Sequence, residues 1–290
     1  MKKTYLLLPI FFLASCSSSN DETDSSNNNG NNNGNNNSGT PVLISKLTVD
    51  GDTSVFTYNG SKISQVKNIN TGEVSTYTYT GDLITEELTT GGSSTFKVNY
   101  TYDGSGRLIK KVSVQHMLVN GYTATDEYNY AYTSNTTLKI TYTKTVAGNF
   151  TGSPSVTTGT KNATLNADGS LNSWTETASI PIPGTSGFNS ATGILKPIVY
   201  DTKNSPHKNI TGYLKIIDTE DENGSSHNIL SYSDKLDLNN GSGGAMWGIF
   251  KSTYEYNTSN YPTKNVRVYY DKTSTNVTSS EVITYEYNHL

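Results

Sequence analysis

"YTYDGSGRLIKKVSV", residues 100–114, is the stretch on which the fold turns. Just upstream and into it, Phe96, Val98, Tyr100 and Tyr102 alternate with Lys97, Asn99, Thr101 and Asp103. Side chains on a strand point to opposite faces in turn, so this alternation puts aromatic and aliphatic groups on one face and polar groups on the other. "DGSG" then supplies residues that accept positive φ, which a tight reversal needs. Leu108, Val112 and Val114 are expected to return to the apolar face. The stretch is therefore a β-hairpin with one greasy side.

The same hairpin recurs in degenerate form. "FTYNGSKISQV" (56–66), "YTYTGDLITEEL" (77–88), "YAYTSNTTLKITYTKT" (130–145) and "YEYNTSNYPTKNVRVYY" (254–270) share the order aromatic, polar, Tyr, turn, aliphatic, second strand. "ATLNADGSLNSWTET" (163–177) keeps the shape without the leading aromatics, and "YEYNHL" (285–290) begins one more copy. Consecutive hairpins make an antiparallel meander, and a meander must hide its apolar face by curling or by packing a second layer. The expected fold is all-β: a long, rolled antiparallel sheet, with a two-sheet β-sandwich as the alternative.

Composition agrees. The chain has 21 Tyr against 7 Phe and 2 Trp, and only 16% of its residues are charged. Thr, Tyr and Val favour strands, whereas Gly and Asn favour turns. A buried Tyr ring can keep its hydroxyl on water or a backbone group, which suits a curled sheet of modest thickness. The net charge of −4 and the absence of a basic stripe argue against a nucleic-acid partner. Residues 178–250 break the repeat. "SIPIPGTSGFNSATGILKP" (179–197) is rich in Pro and Gly, and the segment is expected to be an irregular insertion of the kind that often carries function. Within it, "SPHKNITGYLKII" (205–217) could begin a short helix at Ser205, with Pro206 at the first helical position.

The amino terminus has a different logic. Lys2 and Lys3 precede "YLLLPIFFLA" (5–14), an apolar run too short to span a bilayer but suited to a secretion signal. Cys16, the single cysteine, follows at once in "LASC" (13–16). Residues 17–40 contain no aliphatic or aromatic side chain and have nothing to bury. Some two dozen such residues give a flexible reach of roughly 27 Å. The expected organisation is a signal peptide over 1–15, a tether over 16–40 and one β-repeat domain over 41–290.

Two resemblances follow from these residues. "LASC" resembles the bacterial lipobox, which implies that Cys16 is lipidated (palmitate being one of the acyl groups) and becomes the mature amino terminus. Ser17 after the cysteine is compatible with passage to the outer membrane, and "SSSNDETD" (17–24) is similar to the acidic signals that send Bacteroidetes lipoproteins to the cell surface. "YTYDGSGRLIKKV" resembles the YD repeat of RHS-type proteins. With the lipobox and tether, the chain resembles Bacteroidetes surface lipoproteins built from YD-like hairpins, a group without established activity. The Tyr-Asp pair itself occurs only at Tyr102–Asp103, Tyr200–Asp201 and Tyr270–Asp271, and the many-repeat shell of RHS proteins is not implied.

Chemistry is harder to find in the sequence. His116, His207, His227 and His289 share no metal-ligand spacing, and no nucleotide, dinucleotide or hydrolase motif is present. "DTEDENG" (218–224) places Asp218, Glu220 and Glu222 together as candidate cation ligands, but its glycine falls one place late for an EF-hand, so a solvated turn is the simpler reading. Trp174 and Trp247 are candidates for stacking on a sugar ring. No cofactor is expected. The functional expectation is a lipid-anchored envelope protein that binds or displays without catalysis, its partners being the membrane through the lipid and a glycan or envelope protein. The alternatives are an envelope spacer and a glycan-acting enzyme, which would need two facing carboxylates.

Overall fold

The computed structural model describes residues 40–117, 121–148, 154–182, 185–217, 224–239 and 245–289. Seventeen strands follow one another: β1 (Ile44–Val49), β2 (Asp52–Asn59), β3 (Lys62–Asn68), β4 (Val74–Thr80), β5 (Leu83–Gly91), β6 (Ser94–Tyr102), β7 (Leu108–Met117), β8 (Tyr122–Tyr132), β9 (Thr137–Ala147), β10 (Ser155–Leu165), β11 (Leu171–Pro181), β12 (Phe188–Leu195), β13 (Val199–Tyr200), β14 (Ile229–Leu238), β15 (Ala245–Tyr256), β16 (Pro262–Tyr270) and β17 (Val277–Tyr287). Sequence neighbours pair antiparallel throughout, except that β14 takes both β12 and the two-residue β13 as partners on one side.

The last strand returns to the first. β17 pairs with β1 from Ile44↔Tyr287 to Val49↔Ile283, and β1 also pairs with β2. With β13 set aside as a continuation of the β12 side, sixteen strands form a closed ring. This corrects the expectation of an open rolled sheet or a sandwich. Either of those forms would leave two edge strands with unpaired N–H and C=O groups, and here β1 and β17 satisfy each other instead.

Bulges set which side chains face the lumen. At the end of each of several hairpins one extra residue enters the returning strand: Tyr58 opposes Ile63 while Thr57 opposes Gln65, and Tyr102 opposes Leu108 while Thr101 opposes Lys110. A one-residue insertion inverts the facing of everything beyond it. Val112 and Val114, expected on the apolar face, therefore pair with Asn99 and Lys97 on the outer surface, while Lys111 and Ser113 turn inward and are buried.

The same bulges explain the tyrosines. The Tyr58 hydroxyl donates to the Ile44 carbonyl at 2.7 Å, Tyr102 to Ile84 at 2.9 Å, Tyr200 to Leu171 at 2.7 Å and Tyr287 to Pro262 at 2.8 Å. Each acceptor immediately precedes a bulged residue, where the ladder is interrupted. A phenol spans the gap, and Phe could not. Tyr58→Phe is expected to leave the Ile44 carbonyl short of a donor and cost roughly 1–2 kcal/mol in urea unfolding. Tyr270→Phe, on the outer face, should stay within about 0.5 kcal/mol of wild type.

The segment expected to be irregular, 178–250, holds much strand: β12, β13, β14 and the first half of β15 lie in it, and β11 ends in it. Among the described residues the irregular part narrows mainly to 201–217 and 224–228. The expected helix there is reduced to turns and one 3-10 turn, Tyr213–Lys215, with Gly212 at φ 80° before it. Gly212 cannot carry a side chain, since a Cβ would lie 2.6 Å from the Asp82 carbonyl oxygen.

Candidate functional site

Residues 201–217 and 224–228 close one end of the barrel. Ile210, Ile216 and Ile217 are buried in the core. Around them the segment is pinned to the surrounding turns: the Thr211 amide donates to the Ser61 carbonyl at 2.9 Å, the Asn204 amide to the Asn260 carbonyl at 2.9 Å, and the Asn209 side-chain amide to the Val42 carbonyl at 2.9 Å and to the Tyr261 hydroxyl at 2.7 Å. Inside the segment, the Asp201 carboxylate receives the Asn228 backbone and side-chain N–H groups, each at 3.0 Å, and the Tyr256 hydroxyl. Val42 and Asn288 lie at this same end, where the Asn288 amide donates to the Leu43 carbonyl. The chain thus enters the barrel, and leaves it, beside the plug.

Above the plug lies a cavity of about 660 Å³. Its floor is made by Pro206, His207, Tyr213 and Ile216, and its walls by the inward faces of β1–β7 and β15–β17. The far residues of the lining, Asp50, Asp52, Glu73 and Gln115, stand near the turns at the opposite end, so the cavity opens away from the plug. A volume of this size is typical of small-molecule sites. His207 stacks on Tyr213 with ring centroids 4.7 Å apart, and burial holds its pKa down at about 4, so the imidazole is neutral at pH 7. Burial also raises the Glu73 carboxyl above the usual range.

The wall is layered. Nearest the mouth comes a row of small polar groups, Ser54, Asn68, Ser75, Thr89 and Ser94; below it come Phe56, Tyr77, Phe96, Val98 and Tyr100. Charged groups stand among the rings. The Tyr77 hydroxyl donates to Glu87 at 3.0 Å, and the Tyr269 hydroxyl to Glu281 at 2.9 Å. The Arg267 guanidinium lies 4.2 Å over the Phe250 ring and 3.7 Å from Glu281. The other half of the lumen carries packed aromatic and charged side chains. There Tyr128 and Tyr142 meet at 5.7 Å, the Tyr142 hydroxyl donates to Glu176, and Lys161 sits 4.5 Å over Trp174. Gly159 makes room for Tyr142, whose ring would lie 2.3 Å from any Cβ placed there.

The two tryptophans are on opposite sides of the wall. Trp174 is buried in the packed half of the lumen. Trp247 is partly exposed on the outer face of β15, opposite Lys235, whose ammonium lies 4.8 Å over its ring. Neither lines the cavity. Cys16, Asp218, Glu220 and Glu222 lie outside the described residues. Among the described residues, no group of three or more His, Cys, Asp or Glu is placed to hold a metal ion.

Sequence reading missed the cavity wall, although a signal for it exists. "SVFTY" (54–58), "STYTY" (75–79) and "STFKV" (94–98) each place a serine two residues before an aromatic, hence on the same inward face. A small polar residue in phase with aromatics marks where the lumen is left unfilled.

The outer face is mixed: Val112, Val114, Ile194, Trp247 and Val282 lie on it among many polar groups. Thr76, Thr78, Lys97, Thr101, Thr125, Lys139, Thr141, Thr143, Thr175 and Thr177 point outward. Ion pairs join neighbouring strands there, with Lys97–Glu86 at 2.6 Å, Lys110–Glu127 at 2.8 Å, Lys264–Glu255 at 2.9 Å and Lys46–Glu286 at 3.0 Å. A barrel that crosses a membrane alternates the other way, apolar outside and polar inside, with aromatic girdles at the interfaces. Among the described residues no helix is long and apolar enough to cross a membrane.

No family model matches the chain, and no curated protein matches it. Solved structures that match include two porin-like proteins. A porin-like protein from Bacteroides vulgatus ATCC 8482 superposes with a TM-score of 0.49 at 12% identity, covering 86% of this chain and 100% of that one. A porin-like protein from Bacteroides uniformis ATCC 8492 superposes with a TM-score of 0.36 at 11% identity, covering 86% of this chain and 99% of that one. The closure of the present barrel is given by its own strand pairings.

Proposed function

We propose that this chain is a lipid-anchored protein of the outer membrane whose barrel stands in water and binds a ligand in its lumen without catalysis. The observation that carries the reading is the plug. It seals the end of the barrel at which residues 40–43 arrive from the tether, and the cavity opens at the other end. Moored through Cys16, the barrel would turn its sealed end to the lipid and its mouth away from it. Two or more acyl chains give stable anchoring at about 0.8 kcal/mol per buried methylene, so the strands need not enter the bilayer. The lipobox-like "LASC", the Asn-rich tether and the YD-like hairpins support an envelope protein of the Bacteroidetes lipoprotein kind, with exposure at the cell surface as the further step that "SSSNDETD" suggests. A lumen ligand presented by a glycan or another envelope protein fits an upward-facing mouth.

Growth on labelled palmitate tests the anchor. Label is expected on the wild-type chain and is expected to vanish in Cys16→Ser. An unlabelled wild-type chain would remove the anchor from this reading.

A further inference from the structure

We propose that the lumen takes a sugar, either neutral or bearing amino groups, held at its rings by aromatic side chains and at its hydroxyls by Ser54, Asn68 and the carboxylates around them. The inference rests on the lumen being the binding site.

Two polar groups in the wall point to the ligand. The Ser54 hydroxyl oxygen and the Asn68 side-chain nitrogen are buried without a hydrogen-bond partner in the protein. Both line the cavity, and they face each other directly across β2 and β3. Asn68 is otherwise well placed, since its Oδ1 accepts the Asn70 amide at 2.9 Å, which fixes its orientation. Buried polar groups are nearly always satisfied, so a facing hydroxyl and amide left unsatisfied in the wall of a cavity call for a partner that both donates and accepts. A sugar hydroxyl does both.

The next pair along the wall shows what such a partner would meet. The Ser75 and Thr89 hydroxyls are 2.6 Å apart and also line the cavity. Below them Phe56, Tyr77 and Phe96 line the cavity and supply the aromatic surface that the apolar side of a pyranose packs against. Charge narrows the class. Asp50, Asp52, Glu73, Glu87 and Glu281 line the cavity against two cations, Lys111 and Arg267. A neutral sugar can donate to these carboxylates and an amino sugar can pair with them, whereas an acidic sugar would be repelled.

The test uses the full chain held by its own lipid in phosphatidylcholine nanodiscs, titrated calorimetrically with a neutral trisaccharide (cellotriose), an amino trisaccharide (chitosan trimer), an acidic one (trigalacturonate) and trilysine. Cellotriose or the chitosan trimer is expected to bind and trigalacturonate is not. Ser54→Ala should weaken binding roughly five- to tenfold, the effect of one hydrogen bond, while leaving thermal stability equal or slightly higher because an unsatisfied buried group is removed. Gln115→Trp, at the mouth, should abolish binding. Binding of trilysine alone, lost in Gln115→Trp, would keep the lumen as the site and refute the sugar. Binding of none of the four would overturn both readings. Sugar binding unchanged by Ser54→Ala and Gln115→Trp would place the sugar elsewhere and overturn the inference.

Discussion

A chain that begins at residue 41 is expected to appear wholly in the soluble fraction, monomeric and folded without detergent, while the chain that retains Cys16 and the tether sediments with membranes. The expectation rests on the outer face. Lys97 and Lys251 sit in the interiors of β6 and β15 and point outward. On a lipid-facing strand each such lysine costs about 2–4 kcal/mol at the bilayer midplane. Outward apolar groups such as Leu88, Val114 and Val268 lie beside these lysines, but outward threonines and ion pairs elsewhere on the wall interrupt them. Inside, the pattern is reversed: Ile44, Ile63, Ile84, Leu108 and Ile140 are fully buried in the lumen wall. These groups hold the barrel closed by the ordinary hydrophobic gain of roughly 1.5–3 kcal/mol per large side chain buried. On the proposed reading the barrel therefore stays in water once its tether is removed. Fractionation followed by size exclusion checks this. A truncated chain that stays with the membrane, or needs detergent to remain dispersed, would show that the strands themselves are embedded.

Much of this architecture is visible in local sequence. The alternation around Tyr100 and Tyr102, and turns such as Asp50–Gly51 with both residues at positive φ, specify hairpins within a few residues of themselves. Three features are not local and were not legible. The seam joins residues such as Leu47 and Tyr285, which no pattern in either strand requires to meet. The bulges occupy single positions, and each inverts the facing of its strand, so Val112 and Val114 look inward by composition yet lie outside. The plug is formed by residues 201–217 and 224–228, whose Pro, Asn and Gly content reads as a surface loop; its role appears only when the barrel beneath it is closed.

The candidate site was less visible than the fold. Attention to tryptophan placed weight on Trp174 and Trp247, whose rings serve packing in the lumen and a lysine contact on the outer wall. The cavity wall instead uses serines, an asparagine and a threonine, residues that look like filler in a Thr- and Ser-rich chain. Only their phase relative to Phe56, Tyr77 and Phe96 distinguishes them.

Closure of the ring is the claim on which the lumen, the plug and the mouth all depend, and a cross-link at the seam tests it most directly. Thr48 and Thr284 are directly paired across β1 and β17, on the outer surface. In a Cys16→Ser background, Thr48→Cys with Thr284→Cys is expected to form an intramolecular disulfide on mild oxidation, since paired strand positions lie within disulfide reach. That bond closes a loop of about 235 residues, for which chain entropy gives about 5 kcal/mol of stabilisation, and in a domain of this size the melting temperature should rise by roughly 10 °C or more over the reduced form. Both cysteines remaining free to alkylate in the native protein, or linking only between molecules, would mean that β1 and β17 are separate edges and that the sheet is open.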